Sequence, residues 1–66
     1  MLMIHRQTFY EKDGTPHEVT LQFVTRRVYE VRVDDEIYAI VESRSQGLEE
    51  IEDLLKQTKW SPIKPF

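Results

Sequence analysis

The sequence contains no cysteine, which excludes two of the usual means of stabilising a small domain. Disulfide bonds and thiolate-based metal sites both need cysteine. A chain of 66 residues is long enough for one domain, but its core is small and often needs support of this kind. Self-association or binding to a partner protein is therefore an expected source of further stability.

Long hydrophobic runs are also missing. The apolar start "MLMI" is too short for a signal peptide, and no stretch approaches the roughly 20 apolar residues that cross a bilayer. The absence of cysteine is compatible with a reducing compartment. We therefore expect a soluble, cytoplasmic protein without membrane association. The residues identify no known family.

An excess of positive charge is the third absence, because 12 acidic residues outnumber nine Lys and Arg and the net charge is −3. The acidic excess lies in residues 34–66, with eight acidic against four basic residues, whereas residues 1–33 have four acidic and five basic. Nucleic acid rewards clustered Lys and Arg through counterion release. This distribution argues against a general attraction to nucleic acid and leaves only a local basic patch as a candidate.

The first half of the chain has the alternation that is typical of strands. A run rich in strand formers, "LMIHRQTFYE", precedes a turn at Asp13-Gly14, and a second strand is predicted from near Glu18. Hydrophobic residues then occupy odd positions, which predicts strands with one buried face: Val19, Leu21, Phe23, Tyr29, Val31 and Val33. The polar centre at Thr25–Arg27 has no turn-forming residue. Two strands joined by a short turn and one long, bent strand therefore both remain open.

A second hairpin is predicted after Val33, with Asp34, Asp35 and Glu36 at its tip. The returning segment, Ile37–Glu42, is almost entirely apolar. Such a composition is typical of a strand that is central in its sheet or covered on both faces.

An amphipathic helix follows. Ser43 and Gln46 have the spacing of a capping box, and apolar residues then recur at helical intervals to Thr58. Gly47 lies inside this helix, where glycine costs about 1 kcal/mol relative to alanine. This position predicts a close approach of helix to sheet, over Ala39. We thus expect one α+β domain at 1–58, with an antiparallel sheet of three to four strands and the helix on one face.

Residues 59–66, "KWSPIKPF", are here called the tail. Its apolar residues Trp60, Ile63 and Phe66 are separated by two prolines, which reduce the entropic cost of ordering the segment. The spacing of Lys59, Pro62 and Pro65 matches a polyproline ligand, but the aromatic residues are unlike the usual setting of such a motif. We expect the tail to dock on an apolar edge, in its own subunit or in a second copy. Trp60, Ile63 and Phe66 are the predicted interface residues.

The residue patterns that support catalysis or cofactor binding are absent. His5 and His17 match no zinc spacing, and the acidic tip at 34–36 offers too few oxygen ligands for a calcium loop. Ser43 is explained by its capping role, and the chain has no phosphate-binding loop or nucleophile elbow. We expect neither a metal nor a cofactor, and no enzymatic activity.

Two functions remain for this chain. The first is a small, non-enzymatic protein–protein interaction module that forms a homodimer or a subunit of a larger assembly. The alternative is a nucleic-acid-binding module whose contacts are Arg26, Arg27 and Arg32, on a basic and aromatic surface that also includes Arg44 and Tyr29 or Tyr38. Pairing of these arginines with Glu30 on the solvent face of a sheet argues against the alternative.

Overall fold

The computed structural model describes residues 1–66 as one sheet and one helix. The elements are β1 (Leu2–Tyr10), β2 (Pro16–Thr25), β3 (Val28–Val33), β4 (Glu36–Val41) and α1 (Arg44–Thr58). The four strands are antiparallel and lie in the order β1-β2-β3-β4, and α1 packs on one face. The predicted α+β fold is confirmed. No helix is long and apolar enough to span a bilayer.

Tight turns join the last three strands. Arg26 and Arg27 separate β2 from β3, and Arg27 has a left-handed backbone with φ of 60°. The interrupted arrangement is therefore the correct one of the two alternatives. Asp34 and Asp35, with φ of 51° and 72°, connect β3 to β4 in the pattern of a type I′ turn, which matches the twist of a hairpin.

Each pair of strands contains an irregularity in register. The extra residues are Ile4 in β1, Val24 in β2 and Tyr38 in β4. Bulges of this kind increase the local twist, which helps a small sheet to curve around a single helix. The bulge at Tyr38 also places Ile37 and Ile40 on the same face of the sheet, although they are three residues apart.

The core lies between the sheet and the helix. Its buried hydrophobic residues are Phe9, Val19, Leu21, Val31, Ile51 and Leu54. Three of the predicted odd positions, Val19, Leu21 and Val31, are thus fully buried. Tyr29 and Val33 pack at the border of the core and are half-buried.

The helix begins as its sequence predicts. The Ser43 hydroxyl accepts the Gln46 backbone N–H at 3.2 Å, and the Gln46 side chain accepts the Glu42 N–H at 2.9 Å. Lys59 ends the helix in a left-handed conformation with φ of 61°. The close approach at Gly47 is over Leu21 and not over Ala39 as expected, because Leu21 lies on the inner strand β2 beneath the helix.

The prediction for the last strand is wrong. β4 is an edge strand and not a central one, and its side chains Ile37, Tyr38 and Ile40 are exposed. The helix covers the face that carries Ala39 and Val41, and no further strand lies beyond β4. Its apolar composition is therefore only partly explained by burial within this chain.

Candidate functional site

The face of the sheet opposite the helix, here called the open face, has no covering layer. Cross-strand pairing places its side chains in two rows: Met3, Gln22, Glu30 and Ile40 in one, and Arg6, Thr20, Arg32 and Ile37 in the other. Each row is polar on the inner strands and ends on an isoleucine of β4. The open face is therefore not uniform: its centre is polar, its isoleucines are at the β4 edge, and exposed Met3 lies on β1 at the other end of one row.

The polar centre of the open face is paired internally. Arg32 donates to one carboxylate oxygen of Glu30 through Nε at 3.0 Å and Nη2 at 2.8 Å, and both side chains are mostly covered. Gln22 donates its amide to the hydroxyl of buried Thr20 at 3.2 Å. Every buried side-chain nitrogen and oxygen has a hydrogen-bond partner. This centre therefore offers no unsatisfied polar group to a ligand.

The exposed residues of β4 form an apolar surface that we call the β4 strip, consisting of Ile37, Tyr38 and Ile40. The two isoleucines are 53% and 63% exposed. No charged residue lies between Glu36 and Glu42, and an edge strand leaves outward backbone groups unpaired. Three adjacent features, exposed apolar side chains, free backbone groups and absence of charge, are typical of a protein-binding surface.

The tail lies at the opposite edge of the sheet from the β4 strip, beside β1. Ser61 pairs with Tyr10 through two backbone hydrogen bonds of 2.7 and 2.9 Å. Trp60 is half-buried, whereas Ile63 and Phe66 are 74% and 85% exposed. The three residues predicted as an interface therefore do not share one environment, since Trp60 faces the domain and the other two face solvent.

Trp60 takes part in a group of side chains that we call the His17 cluster, with His17, Glu11 and Asp34. His17 Nδ1 lies 2.6 Å from an Asp34 oxygen, and Nε2 lies 2.7 Å from a Glu11 oxygen. The imidazole stacks on the Trp60 indole, with centroids 3.9 Å apart and planes within 3°. Four segments distant in sequence therefore meet at one ring.

Electrostatics in this cluster favour the protonated histidine. Hydrogen bonds to Asp34 and then to Glu11 raise the pKa of His17, and partial burial opposes them. The same hydrogen bond from His17 lowers the pKa of Asp34. No local sequence pattern predicts this cluster, because Glu11 and Asp34 are 6 and 17 residues from His17.

The arginines predicted to contact nucleic acid are not one patch. Arg26 and Arg27 are exposed in the turn between β2 and β3, whereas Arg32 is near the other end of β3 and is held by Glu30. Arg44 lies at the same end of the sheet as the turn, because Tyr29 at the start of β3 pairs with Val41 at the end of β4. Arg26, Arg27 and Arg44 are here called the basic end, and Arg32 is not part of it.

The candidate metal ligands are also separated. His5 in β1 pairs with Leu21 of β2 and contacts Gln7. His17 lies four residues before Leu21 in β2, and its ring contacts the carboxylates described above. No group of three or more His, Asp or Glu side chains is arranged to hold a metal ion. Two open depressions of about 430 and 440 Å³ adjoin the tail, and Glu11, Lys12 and Lys59 contribute to both.

Comparison of the chain with protein-family models, curated proteins and solved structures found no match.

Proposed function

We propose that this protein is a small, non-enzymatic protein–protein interaction module that forms a homodimer through the β4 strip. The observation that carries the proposal is the exposure of Ile37, Tyr38 and Ile40 on an edge strand whose only charged residue is Glu36 at its start. Exposed apolar patches bordered by polar residues mark interaction sites in soluble domains. A cytoplasmic location is part of the proposal, since a cysteine-free chain is compatible with a reducing compartment.

The size of the core supports self-association. Eight of 66 residues are buried, and six of them form the hydrophobic core. A domain of this length buries only about 60% of the surface of its unfolded chain, and its stability is correspondingly marginal. In a dimer, each copy would cover the β4 strip of the other and so bury apolar side chains that are exposed in the single chain.

The edge geometry of β4 suits a second copy of the chain. A two-fold axis that packs two strips antiparallel places the apolar side chains of one copy against those of the other, as a two-fold interface requires. The acidic turn with Asp34, Asp35 and Glu36 is at one end of β4, and exposed Glu42 and Arg44 follow the other end. The same axis brings the acidic turn of one copy near Arg44 of the other, which allows an exposed ion pair at each end of the interface.

A substitution in the β4 strip tests the proposal. Ile40→Lys places a charge in the proposed interface, and we expect it to weaken the dimer by 100-fold or more, because burying one isoleucine contributes about 1.5–3 kcal/mol and each dimer contains two. The monomer should keep its fold, since Ile40 is exposed within it. The measurement is molar mass by light scattering over a concentration series, with circular dichroism as the check on folding.

Ile63→Lys is the matched control, because Ile63 is an exposed isoleucine in the tail. A homodimer that dissociates with Ile40→Lys and not with Ile63→Lys supports the β4 strip. The reverse result would assign the interface to the tail. A wild-type chain that stays monomeric at every accessible concentration would contradict self-association altogether.

A second candidate function is nucleic-acid binding at the basic end. Its support is the placement of Arg26, Arg27 and Arg44 at one end of the sheet, all exposed. Three arginines give a weaker electrostatic attraction than most nucleic-acid-binding surfaces, and the net charge of −3 opposes it. The pairing of Arg32 with Glu30 removes a further cation from this surface. We therefore rank it below self-association.

A further inference from the structure

The positions of the two carboxylates around His17 indicate whether its ring is neutral or protonated. Nδ1 faces Asp34 and Nε2 faces Glu11, each within 2.7 Å. A neutral imidazole has a single N–H and can donate to one of them only, which leaves the other nitrogen lone pair facing an oxygen lone pair. The imidazolium donates to both. The observed contacts are therefore those of the protonated ring.

The stack on Trp60 adds to this preference. A cationic ring parallel to an indole at 3.9 Å has a favourable cation–π interaction, and indole is the best aromatic partner for it. Trp60 directly precedes Ser61, whose backbone pairs with Tyr10. The protonated ring thus connects the loop after β1, the turn before β4 and the start of the tail.

Other contacts that hold the tail are few. Besides the backbone bridge between Tyr10 and Ser61, the backbone N–H of Trp60 donates to Thr58 Oγ1 at 3.3 Å. The Phe66 ring lies over Gly14. Ile63 makes its one hydrogen bond within the tail, to Ser61. Trp60 also packs against the edge of the hydrophobic core, so the tail has two side-chain attachments: this apolar contact, which does not depend on pH, and the stack with His17.

We propose that the His17 cluster is a proton-controlled latch, which holds the tail on the β1 edge while His17 is protonated and releases it when the proton is lost. Release would free the outward backbone groups of Tyr10, expose the Trp60 indole and make the tail available to a partner. The β4 strip lies at the opposite edge of the sheet, and the one residue shared with the proposed dimer contacts is Asp34 in the acidic turn.

The charged groups around His17 come from each neighbouring segment. Glu11 and Asp13 belong to the loop after β1, and Asp34 belongs to the turn before β4. These three carboxylates favour the cation. Lys12 in the same loop and Lys59 at the end of α1 line the depression beside Trp60 and are the neighbouring cations.

The pH range follows from the signs of the shifts. The pKa of His17 is raised, so the latch is complete below the usual histidine value of about 6.5 and is lost as pH rises through the raised pKa. The pKa of Asp34 is lowered, so its contribution is present above the usual aspartate value and is lost as pH falls through the lowered pKa. The tail is therefore held between these two limits.

Amide hydrogen exchange by NMR tests the latch directly. The reporters are the amides of Tyr10 and Ser61, which bond to each other's carbonyls, and the protection factor corrects for the pH dependence of chemical exchange. We expect their protection to fall as pH rises from about 5 to 9, while the Leu21 amide in the core keeps its own. The protection factor should fall by one power of ten for each unit by which the pKa of His17 is higher with the tail held than with the tail released. Fluorescence of Trp60, the single tryptophan, should shift to longer wavelength in parallel.

Two variants make the test specific. His17→Gln should give low protection at Ser61 that no longer depends on pH, whereas His5→Gln, which changes the only other histidine, should keep the wild-type profile. Glu11→Gln leaves His17 in place, and its midpoint should move to lower pH. Protection at Ser61 that is constant with pH in the wild type, or a midpoint unchanged by Glu11→Gln, would overturn the proposal even if His17→Gln does not fold.

Discussion

At the scale of single residues, Gly47 marks the closest approach of the helix to the sheet. A methyl group placed on it would lie 2.5 Å from one methyl carbon of Leu21 and 3.0 Å from the other. Leu21 has no exposed surface and therefore little room to move. Glycine thus lowers the helix propensity at this position but allows close contact with the inner strand β2.

Gly47→Ala is accordingly expected to destabilise the protein, although alanine is the better helix former. The gain in propensity is about 1 kcal/mol, whereas overpacking a closed core costs about 1–3 kcal/mol. We expect a net loss near 1 kcal/mol in the free energy of unfolding, measured by urea denaturation. Gln57→Ala, at an exposed position of the same helix, is the control and should change stability by less than about 0.5 kcal/mol. Equal or greater stability of Gly47→Ala would mean that the helix can move away from Leu21.

Other residues show what the sequence can and cannot predict at this scale. The capping role of Ser43 was predictable, because it depends on Gln46 three residues later. The role of His17 was not, since its two carboxylates come from a loop and a turn that only the folded sheet brings together. The close approach at Gly47 was predictable from its cost in a helix, but its partner depended on which strand lies beneath.

At the scale of elements, the turn between β2 and β3 lacks the residues that usually form a tight turn. Arg27 has the left-handed backbone that glycine or asparagine normally adopts, with φ of 60°. This is why periodicity alone could not decide between two strands and one bent strand. The alternation continues through the turn in phase, and the conformation comes from pairing on both sides.

Arg27→Gly should therefore stabilise the hairpin. A left-handed backbone costs a residue with a side chain about 1 kcal/mol, and part of the gain is lost to the greater freedom of glycine in the unfolded chain. We expect a net gain of about 0.5 kcal/mol, measured as a higher midpoint of urea denaturation. Arg26→Gly is the control: Arg26 carries the same charge and has no positive φ, so this change should be neutral or destabilising. A lower midpoint for Arg27→Gly would mean that its side chain contributes more than its backbone costs.

The apolar composition of β4 led to a wrong prediction of its position in the sheet. An apolar strand can be buried between layers of its own chain or exposed at an edge that another chain covers, and a single sequence does not distinguish these cases. The connectivity of two hairpins is more informative. Each tight turn places consecutive strands side by side, so the last strand of such a sheet is at its edge.

At the scale of the whole molecule, charge is arranged along an elongated shape of 40 × 19 × 16 Å. The turn before β4 has three successive acidic residues at 34–36, and the opposite end has exposed Arg26, Arg27 and Arg44. The difference between the two halves of the sequence predicted an asymmetry of this kind. Its direction along the sheet depended on the antiparallel order of the strands.

This arrangement allows one variant to separate the two proposed functions. Reversing the charge of Arg44 with Arg44→Glu should weaken the homodimer by about tenfold, because each dimer contains two of the proposed pairs between Arg44 and the acidic turn and an exposed ion pair contributes up to about 1 kcal/mol. The dimer of the wild type should weaken similarly in high salt. Lys64→Glu, the same change of charge at an exposed position of the tail, should leave the molar mass unchanged. If the arginine variant keeps the dimer intact and instead abolishes salt-sensitive binding of a labelled oligonucleotide, the basic end is a nucleic-acid site and not part of a subunit interface.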